Sequence, residues 1–203
     1  MDINSIITSI SWIEWVAFIL GVLYVVYAAL EKPICWIFGG ISCALWAYAT
    51  FIFYNLWIDA LLQIFYVGMA VWGWIRWNNN SSVKQNSKIK SKTLNYHLYW
   101  VLVGLAISLF VGYFFDTLTP AAATYLDSFN TVFSVIATIL VVRKVLENWI
   151  YWFVIDAISI PIYIERGLYL TAILFAIYLV IIVIGYLSWY RDFNATRREY
   201  SRA

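Results

Sequence analysis

Charge is what this 203-residue chain has least of: 12% of its residues are Asp, Glu, Lys or Arg, about half the share usual in a soluble domain. With 64% apolar residues and a mean hydropathy of +0.80, an ordinary soluble fold is excluded, and the chain reads as an integral membrane protein. Histidine is represented by His97 alone, which nearly excludes a His-built metal centre or a Ser–His–Asp triad. The two cysteines, Cys35 and Cys43, lie on one apolar stretch with no further ligands nearby, so they read as small packing residues. There is no Walker-type phosphate loop and no soluble nucleotide domain, which excludes an ATP-driven pump, and no carbonyl-rich filter loop that would suit a channel. No cofactor and no metal is expected. The first apolar stretch lacks a basic preceding region and a small-residue cleavage site and contains Glu14, so it is expected to stay in the mature protein.

What the chain has instead is long apolar runs without the alternation of barrel strands. Seven are long enough to span a bilayer as helices: Trp12 to Leu30, Ile34 to Phe53, Trp57 to Ile75, Leu98 to Phe115, Ala123 to Val142, Trp149 to Ile164 and Leu168 to Tyr190. With seven spans, twelve of the thirteen Lys and Arg fall on one side, and only Arg166 lies on the other, with Asp2, Asp116, Asp127 and Glu165. The positive-inside rule then puts the N-terminus outside and the C-terminus in the cytoplasm. Six or eight spans would strand several cations. The Lys-rich loop around 84–92 needs no nucleic acid to explain it; anionic lipid suffices.

A weak internal repeat runs through the chain. Shifted by 116, Leu30-Glu31 meets Leu146-Glu147 and Trp36 meets Trp152; shifted by 112, Leu56, Ala60, Tyr66, Gly73 and Trp77 meet Leu168, Ala172, Tyr178, Gly185 and Trp189. The expected organisation is a first three-helix repeat over 1–77, a cytoplasmic loop and connector helix over 78–122, a second repeat over 123–190 and a tail over 191–203. An odd connector makes the repeats parallel, the 3+1+3 plan of SWEET-type transporters, in which substrate sites lie near the midplane at the repeat interface and the repeats rock about them.

The polar residues inside the apolar runs suit such a site. On the sixth run, Trp149, Trp152, Asp156, Ser159 and Tyr163 share one helical face. A carboxylate there costs roughly 2.5–3.5 kcal/mol on insertion scales, and intramembrane ionisable groups are functional by default; the competing reading is that Asp156 only bonds a neighbouring helix. The third run aligns Asp59, Gln63 and Tyr66, and the fifth aligns Asn130, Ser134 and Thr138. Asp59 could equally be hydrated near the outer surface, and Asn130, Ser134 and Thr138 could be interhelical glue. Trp12, Trp57, Trp77, Trp100 and Trp189 read as interfacial anchors, whereas Trp36, Trp46, Trp149 and Trp152 lie deeper. Pro161 is expected to kink the sixth helix. Aromatic rings beside carboxylates favour a flat cationic solute, by stacking, cation–π attraction and charge compensation. An aspartyl-protease pair of Asp59 and Asp156 is disfavoured, because neither lies in a Tyr-Asp or Gly-x-Gly-Asp setting; a receptor or scaffold role stays open.

Several of these stretches resemble one family. Trp12-Ile13-Glu14, Ala29-Leu30-Glu31-Lys32, Asp59-Ala60-Leu61-Leu62-Gln63, Tyr66 with Gly73-Trp74, Arg143-Lys144 with Glu147-Asn148-Trp149 and Trp152, and Gly167-Leu168-Tyr169-Leu170-Thr171-Ala172 are similar to the PnuC family of nicotinamide riboside transporters. The resemblance runs from Trp12 to Trp189, and Glu-Asn-Trp-x-x-Trp is its most specific part. It implies an all-α, seven-helix, SWEET-like protein of the bacterial inner membrane. The implied activity is non-enzymatic: facilitated uptake of an NAD precursor that a cytoplasmic kinase then traps. Within this resemblance the expected substrate contacts are Trp36, Asp59, Gln63, Tyr66, Asn130, Ser134, Trp149, Trp152, Asp156 and Tyr178, with Glu31 and Glu147 as candidate gates or partners of nearby Lys32, Arg143 and Lys144. Thiamine, another aromatic cation, fits the same residues. The expected partners are a small-molecule substrate and the lipid bilayer; a homo-oligomer is left open.

Overall fold

The computed structural model describes residues 11–52, 57–78, 88–118, 124–165, 167 and 169–200. Seven helices account for nearly all of them: α1 Trp12–Ala29, α2 Cys35–Ile52, α3 Trp57–Asn78, α4 Leu94–Leu118, α5 Thr124–Val142, α6 Asn148–Glu165 and α7 Tyr169–Tyr200. Each of the seven expected spans contains a helix. Among the described residues five are long and apolar enough to cross a membrane; α3 and α6, which carry Asp59 and Asp156, are not among them. The largest departure is α7, which runs ten residues past the expected end at Tyr190. Nothing after Tyr190 breaks a helix, and Ala195, Arg197 and Arg198 favour one. At 1.5 Å per residue its 32 residues span about 48 Å, well beyond a hydrocarbon core of about 30 Å. Pro161 lies inside α6 without ending it.

The chain divides into two compact units, Met1–Val83 and Lys84–Ala203. In the first, α1 packs on α2 and α2 on α3. Ser11 begins α1 with a capping box: its hydroxyl accepts from the Ile13 N–H at 3.1 Å, and its own N–H donates to Glu14 Oε2 at 2.9 Å. That assignment explains a buried glutamate at the start of an apolar helix. Ser42 on α2 donates to the Ala17 carbonyl of α1 at 2.7 Å. Ser42→Ala is expected to cost about 0.6 kcal/mol, the average for such bonds in a membrane, measured as a small fall in the thermal midpoint in detergent.

In the second unit α4 packs on α5, α5 on α6 and α6 on α7. Gly104, Ser108 and Gly112 recur every fourth residue on α4, and this small-residue stripe admits the rings of α5. A Cβ at Gly104 would stand 2.9 Å from Phe133, and one at Gly112 2.6 Å from Tyr125. The core continues through Phe133, Ala137 and Ile155, and through Ile136, Leu140 and Val145.

The two units repeat the same turn in a register that differs from the expected shift of 116. After α1, Glu31 takes φ 53° and the Lys32 N–H reaches back to the Tyr27 carbonyl at 2.9 Å; after α5, Lys144 takes φ 52° and the Val145 N–H reaches Leu140 at 2.9 Å. This is a Schellman-type helix end, built here on non-glycine residues. The following bonds match as well: Cys35 to Lys32 corresponds to Asn148 to Val145, and Trp36 to Pro33 corresponds to Trp149 to Leu146. Each pair is 113 residues apart. The structural counterpart of Trp36 is therefore Trp149, not Trp152, and that of Glu31 is Lys144, not Glu147. The shared Leu-Glu is a coincidence of sequence, because a turn held by backbone bonds leaves its side chains free to differ. For α3 and α7 the expected shift of 112 holds, carried by packing: Trp36 lies over Gly73 and edge-to-face with Trp77 (5.4 Å, 88°), and Trp149 lies over Gly185 and edge-to-face with Trp189 (5.5 Å, 88°).

Candidate substrate site

The sixth-helix stripe divides between two neighbours. Trp149 and Tyr163 turn to α7, the first against Gly185 and Trp189, the second stacked on Phe175 at 5.2 Å. Trp152 packs against the cluster of Phe133, Ala137 and Ile155. Between them Asp156 and Ser159 are each 1% exposed. Ser159 donates to the Ile155 carbonyl at 2.8 Å and accepts from Asn130 Nδ2 of α5 at 3.0 Å. The amide of Asn130 is thus interhelical glue, but its Oδ1 is buried with no partner among the described residues, and so is Asp156 Oδ1. Two acceptors are thus unpartnered among the described residues, one on the amide that bonds Ser159 and one on Asp156, three residues before Ser159 on α6, and each calls for a donor or a cation.

The other expected residues have different settings. Ser134 and Thr138 are buried, and the Thr138 hydroxyl donates to the Ser134 carbonyl at 2.7 Å, a bond within the helix. Gln63 and Tyr66 are half-buried on α3, Tyr66 beside Phe65; Tyr178 on α7 is half-buried and edge-to-face with Phe175 at 6.0 Å. The Asp59 side chain lies outside the described residues. Trp36 and Trp149 are each 3% exposed, and the indole N–H of each has no partner among the described residues. Their ring faces are taken by Gly73 and Gly185, so each holds the third helix of its own unit against the second. Glu31 sits on the left-handed turn, whereas the Glu147 carboxylate accepts from Ser91 Oγ at 2.5 Å and from the Lys92 N–H at 3.3 Å, and lies 3.4 Å from His97 Nε2.

One residue absent from the expected set is Asn148, fully buried, with Nδ2 donating to the Val145 carbonyl at 2.7 Å and Oδ1 unpartnered among the described residues. Its place in Glu-Asn-Trp-x-x-Trp was a signal for it. His97 is the other. Alone near the start of an apolar run it carried no motif, and its contacts with Glu147 and Tyr151 cross 50 and 54 residues of sequence, as the numbering gives.

Seven helices, five of them long and apolar enough to cross a membrane, with carboxylate, amide and hydroxyl groups buried among them, define a multi-pass membrane protein. Residues 11–191 match the nicotinamide mononucleotide transporter family, and the chain belongs to that family. It is 31% identical to the nicotinamide riboside transporter PnuC of Escherichia coli (strain K12), covering 96% of this chain and 90% of that one. It is 27% identical to the PnuC of Neisseria mucosa, covering 88% and 72%. The crystal structure of the vitamin B3 transporter PnuC superposes with a TM-score of 0.74 at 25% identity, covering 94% of this chain and 85% of that one. These proteins are transporters, not enzymes, and the protease reading falls away.

Proposed function

We propose that the chain takes up nicotinamide riboside across the bacterial inner membrane by facilitated, alternating-access transport, with a cytoplasmic kinase trapping the imported riboside. The observation that carries this is the pair of unpartnered acceptors, Asp156 Oδ1 and Asn130 Oδ1, within 1% exposed and half-buried residues of the second unit. Nicotinamide riboside brings a pyridinium cation, a carboxamide N–H₂ and ribose hydroxyls, all of which an acceptor-rich site favours. The mononucleotide adds a phosphate, which would be set against Asp156, and among the described residues the buried cation is Lys144, in the turn after α5 and not in a span. The riboside is therefore favoured over the mononucleotide.

In this proposal Asp156, Asn130 and Ser134 of the second unit contact the polar end of the substrate, and stacking there falls to Trp152 and Tyr178; Gln63 and Tyr66, which share a face of α3, are proposed as substrate contacts of the first unit. Trp36 and Trp149, whose ring faces are occupied, contribute at most an indole N–H. Asp59 belongs to the set through its spacing from Gln63 alone. The N-terminus is placed outside and the C-terminus in the cytoplasm, on the strength of the Lys and Arg distribution. Each chain carries all of these groups, so the proposal is the same for a monomer and for a homo-oligomer.

Titration of the purified protein, followed by tryptophan fluorescence and heat, tests the substrate. The riboside is expected to bind, with the mononucleotide at least about tenfold weaker because its phosphate brings further acceptors to a site already rich in them, leaving them without donors. Binding of thiamine in place of the riboside would move the substrate within the same mechanism, and tight binding of the mononucleotide would overturn the role given to Asp156.

A further inference from the structure

At the end of the second unit where α5 turns into α6, the segment before α4 is joined to that turn. The Lys90 N–H donates to the Lys144 carbonyl at 2.9 Å and the Leu146 N–H to the Lys90 carbonyl at 2.8 Å, so that Lys90 and Val145 form a parallel bridge. Glu147 closes on the next residues, accepting from Ser91 Oγ and the Lys92 N–H. One turn into α4, His97 stands between the side chains of Glu147, the residue before α6, and Tyr151 in its first turn: its Nε2 lies 3.4 Å from Glu147 Oε2 and its Nδ1 3.1 Å from the Tyr151 hydroxyl. Glu147 and Tyr151 are joined across the first turn of α6, the Tyr151 N–H donating to the Glu147 carbonyl at 3.4 Å. Backbone pairing, a carboxylate on two donors and an imidazole between a carboxylate and a phenol thus converge on a short stretch.

The first unit shows what this arrangement is for. At the register of 113, Glu147 corresponds to Ile34 and Tyr151 to Phe38, both apolar. The turn itself is the same in both units, bond for bond, so the polar residues are not needed to make it. They occur only where a fourth helix is available to be held. The helix they hold it to is α6, which carries Trp152 and Asp156.

We propose that Glu147 is the positioning residue of a latch, completed by Ser91, His97 and Tyr151, that makes α4 and α6 move as one body during transport. Glu147 is then not a gate: it touches no substrate and stays engaged through the cycle. The connector helix belongs mechanically to the second repeat, and the α6 groups keep their positions because the latch spans both helices. The inference rests on the chain being a transporter, and not on which vitamin it carries.

A reversible covalent latch tests this. In a background with Cys35 and Cys43 replaced by alanine, Lys90→Cys with Val145→Cys places two thiols at a bridge pair, and the spacing of paired strands, about 4.8 Å, is within the Cα range a disulfide accepts. Oxidation is expected to leave uptake into proteoliposomes within about twofold of the reduced protein, an energetic change small against typical coupling terms. A large loss on oxidation would mean that α4 must move relative to α6, and would overturn the proposal. Adding Glu147→Ala is expected to lower uptake by about tenfold in the reduced protein, the upper range for a residue that acts through another, and oxidation is expected to restore it. Undiminished uptake on losing Glu147, or no restoration by the disulfide, would equally overturn it, since a gate or a substrate contact cannot be replaced by a cross-link elsewhere. Because both redox states are read on the same folded sample, misfolding cannot imitate the result; if Glu147→Ala does not accumulate, His97→Ala breaks the latch instead. Uptake is followed with the solute the titration identifies, so failure of the riboside assignment is recorded there and failure of the latch here.

Discussion

Asp156→Ala is expected to lower riboside affinity and uptake by about 10- to 100-fold, the equivalent of a hydrogen bond to a charged group at about 1.5–3 kcal/mol, while leaving the thermal midpoint unchanged or higher. The two readouts move apart for one reason. Asp156 is 1% exposed and its Oδ1 has no partner among the described residues, so among those residues that oxygen is buried at a cost with no return. A buried acceptor left over in this way in an apolar helix is the kind of group that a bound solute can satisfy. Alanine removes that cost and the ligand contact together. If the residue only held α6 to a neighbouring helix, Asp156→Ala would lower stability and leave affinity alone. Unchanged uptake would remove Asp156 from the site. Asp156→Asn keeps the acceptor but not the charge, and its loss relative to alanine divides hydrogen bonding from charge compensation.

The second large effect concerns stability. Gly73→Ala would put a Cβ 2.3 Å from two atoms of the Trp36 ring, inside any tolerable contact, and that ring is already confined by Trp77 at 5.4 Å and Tyr24 at 5.8 Å. Overpacking of this kind costs about 1–3 kcal/mol, and the better helix propensity of alanine returns about 1 kcal/mol at most. The expected result is a clear fall in the thermal midpoint for Gly73→Ala, with a smaller fall for Gly185→Ala, where the corresponding approach to Trp149 is 2.7 Å. Adding Trp36→Leu should recover much of the Gly73→Ala loss, and a double-mutant cycle measures that coupling. Additive losses would show that glycine is needed there for another reason.

These two glycine–tryptophan contacts also explain why the repeat is faint in the sequence. The structure demands a glycine and an edge-on tryptophan on the third helix and a flat tryptophan on the second, and these are the residues that recur: Gly73 and Gly185, Trp77 and Trp189, Trp36 and Trp149. The turn between first and second helix demands only a backbone conformation, which Glu31 and Lys144 adopt equally, so its side chains are free to drift. An alignment by residue identity finds the glycines and the edge-on tryptophans of the third helices and misplaces the turn, together with the flat tryptophan that follows it. The shift of 116 is the product of that error, and with it the matching of Glu31 to Glu147.

The membrane class, the seven helices and their approximate limits were legible in the chain alone, because a segment that must satisfy its own backbone in lipid announces itself by length and apolarity. The identity of the polar intramembrane residues was legible for the same reason: each is an exception in an apolar run. What composition and spacing could not decide was partnership. Trp149 and Trp152 share a helical face but serve different neighbours, one α7 and the other α5; Asn130 spends its amide N–H on Ser159 while its carbonyl oxygen has no partner among the described residues; and His97 and Glu147 meet across 50 residues. A helical period says which residues share a face, but which of them a neighbouring helix consumes and which are left over depends on the close approach of α5, α6 and α7, and that exists only once the helices are packed.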